Sequence, residues 1–246
     1  MTELGSPGRR RYLLVLLVLF VLEWLVLAYA PLDREAWLLE NVLAVLFIVL
    51  IIGTHKAFPL SRISYTLIFL FMALHEIGSH YTYAKVPYDA WWQRAFGYSL
   101  NEVLGFERNH FDRLVHFSYG LLLAYPIREV FIRIAGVRGF WGYFLPLDLT
   151  MSTSMIFELF EWGAAEVFGG ALAMDYLGTQ GDIWDAQKDM ALASLGALLA
   201  MLVTAMINLG LQRDFASEWN ESLKIKRRAP LGEDEIRRYL EQNGVE

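Results

Sequence analysis

Six long apolar segments dominate this sequence, and their length constrains the fold more than any other feature. They cover residues 12–30, 36–53, 62–79, 114–134, 143–168 and 189–209. Each is close to the roughly 20 residues that a helix needs to cross the ~30 Å hydrocarbon core of a bilayer. Because backbone polar groups inside lipid must be satisfied within the chain, such segments form α-helices. The sequence therefore predicts an all-α, polytopic membrane protein with six transmembrane helices.

The composition agrees with this class and excludes several functions. Hydrophobic residues make up 56% of the 246 positions and charged residues only 20%, whereas soluble domains carry about 25% charged residues. The absence of cysteine rules out disulfides, thiolate metal sites and cysteine nucleophiles. The basic residues form no surface interleaved with aromatic residues, so we expect no nucleic-acid partner.

The distribution of basic residues predicts the orientation. With six spans, fifteen Lys and Arg residues fall on the side of the N-terminal segment and six on the opposite side. The positive-inside rule then places both terminal segments in the cytoplasm, and a count of five or seven spans would lose this bias. The first apolar segment is too long for a signal-peptide core, so we expect it to remain as an anchor. The predicted organisation is a cytoplasmic N-terminus (1–11), a six-helix membrane domain (12–209) and a cytoplasmic tail (210–246).

The segments between the spans carry their own signals. The external loop 80–112 is rich in Tyr, Trp and Phe, which favour the headgroup level of a bilayer. It therefore predicts a short interfacial helix near 88–96. The second external loop, 169–188, is rich in Gly and Asp. The tail predicts a short amphipathic helix over 231–241, with charge pairs at i,i+4 spacing.

Ionisable side chains within or beside the predicted spans gather at one depth, toward the external face. They are Glu23, Glu40, His75, Glu76, Asp112, His116, Glu158, Glu161 and Asp189. A charge in the hydrocarbon costs about 2.5–3.5 kcal/mol on insertion scales, so it usually faces a bundle interior or a wet cavity. We interpret the set as one polar pocket open to the outside. The alternative is that each side chain snorkels separately to the interface.

Helical spacing divides the pocket residues into pairs. Asp112 and His116 are four residues apart and share a helix face; they suit an oriented imidazole, a metal site or a simple helix cap. Glu158 and Glu161 are three apart. Two such carboxylates suit acid–base chemistry or a neutral, hydrogen-bonded pair.

The approach to the last span holds three aspartates. Gly178 and Gly181 allow a tight turn, and Asp182 is a natural helix N-cap. Asp182, Asp185 and Asp189 then fall at i, i+3 and i+7 on one face. Three carboxylates in a row repel unless a positive group lies among them. That group is either a divalent cation such as Mg²⁺ or Ca²⁺ or one of the basic side chains Arg108, Arg113 and Lys188.

Further polar and aromatic residues are predicted to bind a substrate. They are Arg108, His80, His110, Gln180 and Trp184. Histidine mixed with carboxylates suits Zn²⁺, Mn²⁺ or Fe²⁺ better than Mg²⁺. The chain has no GxSxG, P-loop, HExxH or dinucleotide-binding motif.

Four ordered motifs carry a family resemblance. They are GSHYTYAKVP (78–87), RNHFDR (108–113), FELFEW (157–162) and LGTQGDIWDAQKDM (177–190). In this order they resemble the YjdF-like bacterial inner-membrane proteins, a domain family of unknown function, over about residues 12–209. The chain is also faintly similar to VanZ-like membrane proteins, which carry an Asp-x-x-x-His helix start, an embedded Glu and a last helix that opens with Asp. That likeness implies that Asp112, His116, one of the two glutamates and Asp185 or Asp189 work together.

These observations predict a multi-pass protein of the bacterial inner membrane with an outward-facing pocket of His, carboxylate and Arg side chains. We expect the pocket to bind or act on a lipid headgroup or an envelope-related amphiphile, with membrane lipids as partners. If it catalyses a reaction, the residues are His116, Asp112, Glu158 and Glu161, and a divalent metal on Asp182, Asp185 and Asp189 is an alternative to arginine. The competing hypotheses are a proton-coupled transporter that uses Glu158 and Glu161, and a non-catalytic scaffold.

Overall fold

The structure is a computed structural model that describes residues 7–168, 179–211, 215–226, 230 and 232–244. All regular structure in these residues is helical, which confirms the all-α class for them. The first half of the second external loop, 169–178, which includes Gly178 of its predicted turn, lies outside the described residues.

Six of the helices in the described ranges are between 19 and 28 residues long. They are α1 (Pro7–Leu27), α2 (Arg34–Thr54), α3 (Arg62–His80), α6 (Phe111–Ile134), α7 (Trp141–Phe168) and α8 (Asp185–Leu211). The shorter ones are α4 (Tyr88–Phe96), α5 (Leu100–Leu104), α9 (Phe215–Ser222) and α10 (Glu233–Gln242). Each predicted apolar segment coincides with one long helix to within a few residues, and short helices lie where the aromatic loop and the tail predicted them.

Contacts between helix ends show how the long helices are arranged. The backbone N–H of Ser61, just before α3, donates to the Glu129 carboxylate near the end of α6 at 2.9 Å. Trp24, near the end of α1, donates through Nε1 to Asn41, early in α2, at 2.6 Å. The helices in each of these pairs therefore run antiparallel, as the short connection between α1 and α2 requires of that pair.

The described part of the bundle is apolar on its outside and buries ionisable side chains inside. Val26, Val49 and Phe160 are each more than 60% exposed, whereas Glu76 is 0% and Asp189 2% exposed. Soluble monomers rarely expose apolar surface on this scale. The distribution is the one expected of a protein whose solvent is hydrocarbon.

Two of the long helices in the described part are long and apolar enough to cross a membrane by composition alone. They are α2 and α8, with mean hydropathies of 2.4 and 2.2. The other long helices carry more polar residues, such as Arg10 and Arg11 in α1 and His75 and Glu76 in α3. The embedded polar residues of α3, α6 and α7 converge on the site described next.

Candidate functional site

Two glycines bring α6 and α8 into backbone contact. A Cβ atom on Gly120 would lie 1.9 Å from the Ala193 carbonyl oxygen, and one on Gly196 would lie 2.1 Å from the Phe117 carbonyl oxygen. Small residues at such a crossing let the helices approach closely, as in membrane bundles generally. Because Gly120 is one turn beyond His116 and Ala193 one turn beyond Asp189, the crossing brings these two side chains together.

Asp112, His116 and Asp189 form a compact cluster above this crossing. Ligand atoms of the three side chains all lie within 4.8 Å of one another. Asp112 and His116 share a face of α6, as their spacing predicted, and Nε2 of His116 lies 3.6 Å from Oδ1 of Asp112. The predicted pair therefore exists, and α8 supplies its third member.

Helix α7 adds the predicted glutamates. Oε1 of Glu158 lies 3.6 Å from Nε2 of His116 and accepts no hydrogen bond from the described part of the chain. Glu161 lines the cavity described below and is close enough to Asp112 and Glu158 for their charges to act on it. Three carboxylates, those of Asp112, Asp189 and Glu158, thus surround one imidazole, an arrangement suited to cation binding or proton exchange.

An arginine–aspartate layer covers the cluster. Arg108 forms an ion pair with Asp185 and donates to the Thr179 carbonyl oxygen. Arg113 lies 2.5 Å from Asp182 and 3.3 Å from Asp185. Lys188 reaches the same oxygen of Asp182 at 2.6 Å, so basic side chains, one of the two predicted alternatives, neutralise these two aspartates.

The layer lowers the pKa values of two residues that lie outside the helices, Asp182 and His110. Hydrogen bonds from Lys188, from the Trp184 backbone and from Arg113 hold the pKa of Asp182 well below its usual range. Burial lowers the pKa of His110, and the neighbouring charges of Arg113 and Arg108 lower it further. Because both pKa values are lowered, the charges of Asp182 and His110 do not change near neutral pH.

The predicted metal set of Asp182, Asp185 and Asp189 is not assembled as one site in the described residues. Helix α8 begins at Asp185, and the Asp182 carboxylate caps a turn by accepting from the Trp184 backbone at 3.1 Å. Gly181, at φ +84°, turns the chain just before. Asp182 therefore lies off the helix face, and Asp189 alone joins the histidine cluster.

The predicted binding residues occupy different places. His110 stacks on Phe106, with ring centroids 4.0 Å apart. Gln180 exchanges two hydrogen bonds with the Asn109 backbone, at 3.1 and 3.0 Å, and Trp184 is 59% exposed. His80 lies apart, with Nδ1 2.7 Å from the Leu27 carbonyl oxygen. The layer thus unites Arg108, His110 and Gln180 but not His80.

A second polar group lies beside the cluster and contains three residues that the sequence analysis placed in the pocket, Glu40, His75 and Glu76, together with Tyr83, which it did not. Glu40 and Glu76 are buried, and both oxygens of Glu76 lack a hydrogen-bond partner among the described residues. The Tyr83 hydroxyl lies 2.6 Å from Nδ1 of His75. Tyr83 has a left-handed backbone, φ +49°, and its ring covers Gly78, where a Cβ would lie 2.4 Å from it. The one sequence feature that could have pointed to Tyr83 is Gly78, because a glycine leaves room for the tyrosine ring.

A cavity of about 550 Å³ runs along the bundle from the cluster. Its walls belong to α2, α3, α6 and α7, and most of its length is apolar, with Leu50, Phe58 and Ile127 among the lining side chains. The polar lining residues are His75, Tyr83, Asp112, His116, Ser154 and Glu161, with Tyr65, Tyr119 and two threonines beyond them. On α6 the lining runs from Asp112 to Ile134, about 33 Å at 1.5 Å per residue.

Comparison with known proteins assigns this architecture to a family. A family model described as "Predicted membrane protein (DUF2238)" matches residues 12–209, which include the cluster, the layer and the cavity. The chain belongs to this family. Inner membrane protein YjdF of Escherichia coli (strain K12) is 40% identical over 174 residues, which are 70% of this chain and 79% of that protein. No solved structure matches.

The match confirms the YjdF-like resemblance that the four motifs carried. This DUF2238 protein is an inner-membrane protein, as its composition and its relative indicate. The fainter VanZ-like likeness stays a prediction.

Proposed function

We propose that this protein spans the inner membrane six times and binds a membrane amphiphile. The hydrocarbon chain of the amphiphile occupies the cavity, and its polar headgroup meets the side chains at the cluster end. The observation that carries the proposal is one continuous cavity that joins an apolar channel to the partly buried carboxylates of Asp112 and Glu161.

The size and lining of the cavity support a hydrocarbon occupant. Its volume of about 550 Å³ lies within the roughly 300–1,000 Å³ of ligand pockets. Leu43 and Leu50 line it and are also 40% and 58% exposed, so the channel wall continues onto the outer surface of α2. An amphiphile could therefore enter sideways from the bilayer without its chain passing through water.

The polar end supports a headgroup that offers hydrogen-bond donors. Glu161 and Ser154 line the cavity there, and Oγ of Ser154 has no partner in the described ranges. Hydroxyl or amine groups of a headgroup satisfy such acceptors, and unpaired buried polar atoms are costly. A lipid headgroup and a free amphiphile share this chemistry, and the test below distinguishes them.

Filling the channel should weaken amphiphile binding. We expect Leu43→Trp to weaken retention of the bound amphiphile by about tenfold, or about 1.4 kcal/mol, because the indole intrudes into the channel. Native mass spectrometry of protein extracted in mild detergent measures the retained ligand, and lipid extraction identifies it as a membrane lipid or another amphiphile.

The neighbouring substitution Val42→Trp is the matched control. Val42 is 54% exposed but does not line the cavity, so the same indole there should leave retention unchanged. Equal retention in both variants, or no bound amphiphile in the wild type, would refute amphiphile binding.

The chain has no native cysteine, so labelling of single introduced cysteines can test the topology. Suitable positions are Val103, in α5, and Leu223, after α9. Their native side chains are 66% and 53% exposed. With both terminal segments in the cytoplasm, a membrane-impermeant maleimide should label Val103→Cys in intact cells and Leu223→Cys only after lysis. The basic-residue bias supports this orientation, and labelling of Leu223→Cys in intact cells would contradict it.

A further inference from the structure

We infer that Asp112, His116, Asp189 and Glu158 form a binding site for one divalent transition-metal ion. This inference does not depend on the amphiphile, because the ion and the hydrocarbon chain occupy different parts of the structure.

The distances fit shared ligation better than hydrogen bonding. Nε2 of His116 is 3.6 Å from both Oδ1 of Asp112 and Oε1 of Glu158, which is beyond hydrogen-bond range. Metal–ligand bonds of about 2.0–2.2 Å in tetrahedral geometry place neighbouring ligand atoms roughly 3.4 Å apart. One carboxylate oxygen of Asp189 lies within 4.8 Å of ligand atoms of Asp112 and His116, and Glu158 joins this group through its contact with His116.

Unpartnered atoms point to a missing cation. Oε1 of Glu158 and Oδ1 of Asp189 are buried and have no hydrogen-bond partner in the described part of the chain. The side chain of Glu158 is 9% exposed and the Asp189 residue 2%. Carboxylates so placed are normally paired or bound to a metal.

The nearby arginines do not fill this role. The guanidinium hydrogen bonds of Arg108 and Arg113 to carboxylates go to Asp185 and Asp182, in the layer above. The proposed metal site, which is the cluster together with Glu158, thus holds three carboxylates and one imidazole.

The ligand set selects the class of ion. One imidazole with carboxylates suits Zn²⁺, Mn²⁺ or Fe²⁺, whereas Ca²⁺ and Mg²⁺ favour oxygen ligands throughout. Asp112 and His116 also line the cavity, so the ion would face the headgroup end. A metal at that position can polarise a bound oxygen atom.

Metal binding to the full-length protein in detergent tests the site. Protein stripped with a chelator should take up about one Zn²⁺ or Mn²⁺ per chain. We expect His116→Gln and Asp189→Asn to bind at least about tenfold more weakly. The thermal stabilisation that the metal gives to the wild type should disappear in both variants.

Glu76→Gln is the matched control, since Glu76 is a fully buried carboxylate outside the set and its variant should bind as the wild type does. Size-exclusion profiles establish that each variant is folded, and the metal content of the folded fraction is compared. Absence of uptake by the wild type would overturn the inference, as would equal uptake by wild type, His116→Gln and Asp189→Asn, which would place the bound metal elsewhere.

Discussion

Gly196→Leu should prevent the native packing of α6 against α8. Even a Cβ at this position would lie 2.1 Å from a backbone oxygen and 2.8 Å from a backbone nitrogen of α6, so no side-chain rearrangement can accommodate it. Overpacking usually costs about 1–3 kcal/mol, and a clash with backbone should cost at least about 3 kcal/mol. We expect the variant to give little monodisperse protein on size exclusion and a lower melting temperature in detergent.

Two other helical glycines provide the controls. Gly53 in α2 and Gly163 in α7 have no atom within 4 Å of an added Cβ, so Gly53→Leu and Gly163→Leu should give wild-type yield and melting temperature. If Gly196→Leu behaves as they do, α6 and α8 do not approach as closely as described.

Removing Arg108 should be the most damaging change to the charged layer. Arg108→Met leaves Asp185, whose side chain is 5% exposed, without its main partner. Breaking a buried ion pair costs about 3–5 kcal/mol, and we expect the lower end because Arg113 remains 3.3 Å from the same oxygen. Chemical or thermal unfolding in detergent, compared with the wild type, measures the loss.

Two further variants serve as controls for this result, an apolar replacement of both members of the buried pair and the loss of an exposed pair. Arg108→Met combined with Asp185→Leu should recover most of the stability, because replacing both members of a buried pair is often neutral. Lys224→Ala breaks a pair whose side chains are 64% and 56% exposed, and should have no measurable effect. A loss no larger than that of Lys224→Ala would show that the layer is not a stabilising element.

The layer also sets an acid limit on stability. The pKa of Asp182 is lowered in the folded protein, so its stabilising contribution is present above its ordinary pKa of about 3.9. That contribution is lost as the pH falls toward the lowered pKa. Asp182→Asn should therefore make unfolding less dependent on pH below about 4.

Local chemistry predicted the helices well. The apolar segments and their lengths located all six long helices, and the four-residue spacing of Asp112 and His116 placed both on one face of α6. These features depend on the period of the helix and on the cost of an unsatisfied backbone in lipid, which a single sequence displays.

Relations between helices were harder to predict. The rotation of α6, α7 and α8 about their axes decides which glutamate contacts His116 and which aspartates pair with arginine. Gly120 and Gly196 set the contact between α6 and α8. Asp182 was placed on the α8 face because the i, i+3, i+7 pattern includes it, but α8 begins only at Asp185 and Asp182 lies in the turn before it. The cavity left no signal, since its apolar lining residues resemble those that face lipid.

The charged layer has a consequence for biosynthesis. Arg108 and Arg113 find their carboxylates 77 and 69 residues later in the chain, and synthesis proceeds from the N-terminus. Until the start of α8 has been synthesised, Arg108, just before α6, and Arg113, in its first turn, lack these carboxylate partners. Synthesis of the segment that holds Asp182 and Asp185 is thus the step at which the two arginines gain their partners, and a nascent chain stalled before Asp182 would expose them to the insertion and quality-control machinery without these partners.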